Sequence, residues 1–157
     1  MTWRGSATAK DRVFACLPYL LPLLSVLPFG AYLFRQFPVL ALILLPLQPL
    51  LAIYSIPFAS LIIFFVLFLG VVRNEKISHF IRFNTMQALL IDIALFLCTM
   101  ALQILTPALG TGLVGQTLFN VVFLGTLAAC AYSVVQSVIG RYAEIPGISE
   151  AVYSQVP

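Results

Sequence analysis

Between Arg82 and Arg141 the chain reads FNTMQALLIDIALFLCTMALQILTPALGTGLVGQTLFNVVFLGTLAACAYSVVQSVIG (residues 83–140), and Asp92 is its only charged residue. Two further stretches, 13–34 and 36–72, carry no charge. A transmembrane helix needs about 20 predominantly apolar residues to cross a hydrocarbon core of about 30 Å. These runs therefore predict bilayer-spanning helices, and the basic residues between them indicate which side each connection faces.

The composition supports the same class of protein. The chain has 157 residues, of which 62% are hydrophobic and 8% are charged. Soluble domains average about 25% charged residues. The net charge of +3 comes from positions beside the apolar runs, with no basic stripe that would suit nucleic acid. We expect a single membrane domain over residues 1–157, with the lipid bilayer as a partner and no nucleic acid.

Four segments have the length and composition of membrane-spanning helices: residues 13–29, 55–72, 83–105 and 116–140. The segment 38–54 is nearly as apolar, but it contains Pro46 and Pro49. Interior prolines remove helical hydrogen bonds, and the carbonyl groups that they free need partners in lipid. We predict an all-α, polytopic membrane fold with four transmembrane helices and an interfacial or re-entrant helix at 38–54, between the first two.

The distribution of basic residues decides between four and five spans. With four spans, seven of the eight basic residues lie on one side of the membrane and only Arg35 lies on the other. A fifth span would move the loop at 73–82 to the side of Arg35. The positive-inside rule therefore favours four spans, with both termini and the tail at 141–157 cytoplasmic or stromal. The main orientation-setting residues are Arg12, Arg73, Lys76, Arg82 and Arg141.

Asp92 is the most costly residue in these spans, because a carboxylate near mid-membrane must be protonated, paired or hydrated. Steps of seven place Thr85, Asp92, Thr99 and Thr106 on one stripe of a helix, with Gln103 beside it. This stripe must face protein or water. Two interpretations remain open: it lines a hydrophilic conduit, or it forms interhelical hydrogen bonds that hold the bundle together.

The fourth span carries small residues at steps of four: Gly125, Ala129, Ser133 and Ser137. Small residues let a neighbouring helix approach closely in membranes, so this ridge predicts a packing surface. Asn120 adds a polar position on the same span, where it is able to line a conduit, to bond across the bundle or to bind a partner subunit.

The sequence contains no catalytic or metal-binding pattern. The three cysteines, Cys16, Cys98 and Cys130, are far apart within apolar segments, so we expect unpaired thiols. No set of acid, base and nucleophile converges at a spacing that a known reaction requires. We therefore expect that the protein is not an enzyme and has no cofactor and no metal.

Six stretches together resemble a known family. They are CLPYLLPL (16–23), GVVRN (70–74), SHFIRFN (78–84), MQA (86–88), YAEIP (142–146) and AVYSQVP (151–157). In this order they resemble the twenty-kilodalton Tic subunit family, membrane components of the chloroplast inner-envelope protein-import translocon. The resemblance covers nearly the whole chain.

The resemblance implies a four-helix membrane protein with stromal termini that forms part of a protein-conducting assembly. It implies other membrane subunits or further copies as partners, and translocating polypeptides as cargo. Because residues 1–12 hold no long transit peptide, we expect a cyanobacterial or plastid-encoded member. A structural or assembly subunit without a pore is the alternative. A small-solute carrier is a further alternative, although such carriers normally show internal repeats.

Overall fold

The computed structural model describes residues 6–110 and 112–157, and these are helical apart from short turns, with no strand among them. Three helical segments in this part of the chain are long and apolar enough to cross a membrane: Ala9–Gln36, His79–Leu109 and Leu113–Ile139. A bent pair, Pro38–Tyr54 and Ala59–Val72, makes a fourth if the pair is counted as one. The prediction of an all-α membrane fold is confirmed.

The first span, Ala9–Gln36, alternates between two helix types. It contains α1 (Ala9–Cys16), α2 (Leu20–Val26) and α3 (Ala31–Gln36), joined by 3-10 turns at Leu17–Tyr19 and Leu27–Gly30. Each turn has a proline near its start, where a missing N–H costs little. The proline-rich span is thus tightened at two places but continues for 28 residues.

The next segment bends sharply. A 3-10 stretch, Pro38–Leu47, leads into α4 (Gln48–Tyr54), and a bend of 93° separates it from α5 (Ala59–Leu67) and a π-helical turn, Phe68–Val72. The helix starts at Ala59 rather than near Ser55, because Phe58 adopts a left-handed φ of 65° after Pro57. At about 1.5 Å per residue, Ala59–Val72 is only about 21 Å long.

Helix α6 (His79–Leu109) is the centre of the bundle. Every residue from 82 to 89 is buried, because the first span, α7 (Leu113–Ile139), the π-helical turn and α8 (Ile148–Gln155) surround this part of the helix. Ser78 caps its start by accepting a hydrogen bond from the Ile81 N–H at 3.4 Å. Much of the surface of the second half of α6 is exposed.

The N-terminus of the first span and the C-terminus of α7 meet at one end of the bundle. Arg12 Nη1 donates to the Val138 carbonyl at 3.4 Å, near the negative end of the α7 dipole. Gly140 ends α7 with a φ of 87°, and a Cβ there would lie 2.9 Å from Arg12 Nε. Glycine thus permits both the left-handed turn and the close approach of the arginine.

Candidate functional site

A buried hydrogen-bond network joins three helices. Asn84 Oδ1 accepts from the Tyr19 hydroxyl at 2.8 Å and from Ser137 Oγ at 3.0 Å. The amide nitrogen of Asn84 donates to the Phe80 carbonyl at 2.9 Å. One side chain of α6 therefore binds both the first span and α7.

Gln87 extends this network by one helical turn. Its Nε2 donates to the Tyr19 hydroxyl at 3.1 Å and to Ser133 Oγ at 3.2 Å. The five side chains of the network are fully buried: Tyr19, Asn84, Gln87, Ser133 and Ser137. Hydrogen bonds between helices satisfy most of these groups, although Gln87 Oε1 has no partner among the described residues. The network therefore holds three helices together.

A second polar region surrounds Asp92 and is open rather than packed. A cavity of about 480 Å³ lies between the first span, the bent segment, α6 and α7. Its apolar walls include Leu24, Phe29 and Phe119. Its polar lining residues are Ser25, Tyr54, Ser60, Asp92, Thr99, Gln103 and Thr106. The stripe of α6 from Asp92 onward thus faces a cavity.

The threonines of the stripe make no bonds to other helices. Thr85 Oγ1 donates to the Ile81 carbonyl at 2.8 Å, and Thr99 Oγ1 donates to the Leu95 carbonyl at 2.9 Å. Thr106 bonds to the carbonyl four residues before it in the same way. Each hydroxyl satisfies its donor within its own helix, which is a common arrangement for buried threonine.

Asp92 itself lies near the middle of α6, about 20 Å from its start at about 1.5 Å per residue. The residue is partly buried, and its Oδ1 has no hydrogen-bond partner among the described residues. Among the residues that the structure describes, no basic side chain lines the cavity. An acid in this setting needs either a proton or water, because an unpaired carboxylate is costly at membrane depth.

A larger cavity of about 680 Å³ adjoins the first one along α6. Thr85 lines this larger cavity and not the smaller one. Leu24 and Tyr54 line both, so they form the partition between the two spaces. The Tyr54 hydroxyl lies 3.4 Å from Ser25 Oγ. The stripe of three threonines and Asp92 is therefore divided between two cavities that follow one helix.

The small-residue ridge of α7 differs between its two ends. Ser133 and Ser137 belong to the buried network, and Ala129 packs beside Tyr19 and its neighbours. Gly125 is exposed, and a Cβ built on it would meet nothing within 4 Å. Asn120 does not line the cavity, and its buried Oδ1 has no hydrogen-bond partner among the described residues.

The basic residues gather at one end of the helices. Arg12 contacts the end of α7, and Ser78, next to Lys76, donates to Asp11 at 3.3 Å. Arg82 Nε donates to the Val72 carbonyl at 2.8 Å. The described basic residues at this end are Lys10, Arg12, Arg73, Lys76, Arg82 and Arg141. Arg35 lies at the other end of the first span, and Arg4 falls outside the described residues.

Sequence reasoning missed several polar residues of both regions. Tyr19, Asn84 and Gln87 were not expected to act together, and Ser25 and Tyr54 were not expected in the cavity. Their signal was a single polar side chain within an apolar run. That signal cannot identify the partner, which comes from another helix. Cys16, Cys98 and Cys130 are unpaired, and residues 6–110 and 112–157 contain no group of three or more potential metal ligands.

These features define a polytopic α-helical membrane protein with an acidic, partly hydroxyl-lined cavity inside its bundle. The family model described as "Chloroplast import apparatus Tic20-like" matches residues 8–152, so the chain belongs to the Tic20 family. A "Tic20 family protein" of Synechocystis is 54% identical and covers 99% of both chains. "Protein TIC 20-II, chloroplastic" of Arabidopsis thaliana is 37% identical over 99% of this chain and 78% of its own. The red alga Gracilaria tenuistipitata has a "Tic20 family protein Ycf60" that is 35% identical over 95% of this chain and 76% of its own. The family resemblance seen in the sequence is thereby confirmed.

Proposed function

We propose that this chain is a channel-forming subunit of a protein translocon, acting in protein translocation across or into a cyanobacterial membrane or the plastid inner envelope. Membership of a family whose model is described as chloroplast import apparatus supports a transport role rather than a catalytic one. The observation that carries the channel assignment is that the polar stripe of α6 faces a cavity and not a neighbouring helix.

In the alternative function, a structural or assembly subunit, the polar stripe of α6 would form hydrogen bonds between helices. The hydrogen bonds in the structure argue against this alternative. Bonding between helices is provided by Asn84 and Gln87, which lie on a different part of α6. The threonines beside the cavity bond only to their own helix. Asp92 contacts one polar side chain of another segment, Ser25, which offsets only part of its cost in lipid. A hydrated path explains why an acid is tolerated there.

One chain encloses too little space to conduct a polypeptide by itself. The cavity of about 480 Å³ is lined on one side by the bent segment and lies within three or four crossing segments. We propose that further copies or other membrane subunits complete the path. The clustered basic residues support an orientation with both termini cytoplasmic or stromal.

The experiment that tests the channel role measures water access in reconstituted full-length protein. In a background with the three native cysteines replaced by alanine, Thr99→Cys places a thiol in the cavity, and Leu97→Cys places one on the exposed apolar face of α6. A membrane-impermeant, charged thiol reagent should label position 99 at least tenfold faster than position 97, because thiolates form in water and not in lipid.

The functional arm of the experiment uses Asp92→Leu, with Leu97→Ala as the matched control on the same helix. We expect Asp92→Leu to reduce conductance or cargo passage severalfold and Leu97→Ala to leave it unchanged. Equal labelling at positions 99 and 97 together with unaltered conductance in Asp92→Leu would contradict the channel role. That result would favour a structural or assembly subunit. Saturable uptake of one small solute without polypeptide passage would favour a carrier.

A further inference from the structure

The larger cavity of about 680 Å³ is a groove with a predominantly apolar wall and one charged mouth. It runs between the first span, the bent segment and the start of α6, and it ends at the partition formed by Leu24 and Tyr54. Representative wall residues are Leu17, Leu20, Leu50, Ile63, Leu67 and Ile81. The channel proposal assigns no role to this wall, which is too apolar to hold a file of water.

Two lysines give the mouth of the groove its positive charge. Lys10 and Lys76 line it and are exposed. Asp11 also lines the mouth, and its carboxylate offsets part of the charge of Lys10. Oδ2 accepts from the Thr8 N–H at 3.0 Å, and Oδ1 accepts from Ser78 Oγ at 3.3 Å. The carboxylate is thus held by a helix cap and a loop contact, and two lysines with one carboxylate leave the mouth a net charge of +1.

We propose that this groove binds an anionic phospholipid of the surrounding bilayer, with one acyl chain along the apolar wall and the phosphate at Lys10 and Lys76. The arrangement of charge above an apolar groove matches an amphiphile whose headgroup stays at the membrane surface. Basic residues beside a membrane attract anionic headgroups by about 1 kcal/mol each, or about fivefold in affinity. Phe14 and Leu17, both about half exposed, give the groove an open side toward lipid.

The volume of the groove favours an acyl chain over a helical segment of a cargo protein. Ligand sites typically enclose about 300–1,000 Å³, and this groove lies within that range. A membrane-spanning helix about 30 Å long and about 10 Å wide occupies about 2,400 Å³. The groove is smaller than such a helix and would hold only part of it.

The test uses a fluorescent reporter in the groove of the full-length protein. Trp3→Phe removes the single native tryptophan, and Phe14→Trp places one in the groove wall. The protein is reconstituted in phosphatidylcholine vesicles that contain either brominated phosphatidylglycerol or brominated phosphatidylcholine, whose bromines quench a tryptophan on contact. We expect the anionic lipid to quench more strongly at equal mole fraction. Lys10→Gln with Lys76→Gln should lower this preference by about fivefold for each lysine.

Three controls separate a site from a general surface potential. Arg141→Gln removes a charge at the same end of the bundle but outside the groove, and it should leave the preference unchanged. A tryptophan placed at the exposed Leu124 of α7 should show no preference. Lys10→Arg with Lys76→Arg should retain it, which also shows that changes at these positions leave the fold intact.

The proposal is overturned by equal quenching by the two lipids at position 14. It is also overturned if the preference survives the double glutamine change, or if Arg141→Gln lowers it as much. A photo-reactive residue at position 14 that captures a polypeptide in place of lipid would likewise overturn it. These readouts do not involve Asp92 or Thr99, so their failure is distinguishable from failure of the channel proposal.

Discussion

Gln87 and Asp92 lie little more than one turn apart on α6, yet their surroundings are opposite. Gln87 donates to side chains of two other helices and is fully buried. Asp92 borders a cavity and is only partly buried. One oxygen of each residue, Gln87 Oε1 and Asp92 Oδ1, has no partner among the described residues. The comparison shows that a polar residue in a membrane helix packs or lines a path according to what the neighbouring helices present to it.

The largest expected effect comes from the centre of the network. Asn84→Ala removes two interhelical bonds and leaves the Tyr19 hydroxyl and Ser137 without their acceptor. We expect a loss of about 2 kcal/mol in the free energy of unfolding. Asp92→Ala should change it by less than about 1 kcal/mol, because at most one interhelical contact, to Ser25, is lost. Reversible unfolding in mixed micelles measures both, and equal losses would remove the distinction between the two regions.

A smaller difference in stability is expected between the loss of a hydroxyl group from the buried network and the loss of one beside the cavity. Ser137→Ala removes one bond to Asn84 and should cost about 1 kcal/mol. Thr99→Val removes only a bond to its own helix and should cost less than about 0.5 kcal/mol. Thermal unfolding of the two variants, in the same detergent, gives the comparison. A larger loss for Thr99→Val would indicate that the cavity side of α6 is packed in the native assembly.

The smallest effect concerns the ridge of α7. Gly125→Ala adds a methyl group where nothing lies within 4 Å, so we expect stabilisation by about 0.5 kcal/mol from helix propensity. Chemical unfolding with three or more replicates resolves a change of this size. Destabilisation would show instead that a second subunit packs against Gly125, which makes this variant a probe of the partner surface.

The fold was largely predictable because it depends on long apolar runs and on the arrangement of charge. The break at 38–54 followed from Pro46 and Pro49, and the structure bends the chain just beyond that segment. The exact start of the next helix was not predictable, since it depends on the backbone conformation of Phe58. Local composition contains no signal for that residue's left-handed turn.

The sequence predicted only those residues of the cavity that lie on a single helix, α6. Steps of seven placed Asp92 and Thr99 on one face, and both line the cavity. Thr85 shares that face but lines the other cavity, because Leu24 and Tyr54 from different segments divide the space. Side chains that meet from distant parts of the chain are a property of packing, and helical periodicity describes one helix at a time.

The hydrogen-bond network between α6 and α7 also bears on the order in which the partners of Asn84 become available during synthesis. Asn84 bonds to Ser137, which lies 53 residues later in the chain. At about 5–20 residues per second, that partner is made roughly 3–10 s after the asparagine. Tyr19 is already present by then and occupies the same acceptor atom. We therefore expect Tyr19 of the first span to bond to Asn84 before the last span is inserted, which would shield this asparagine from lipid.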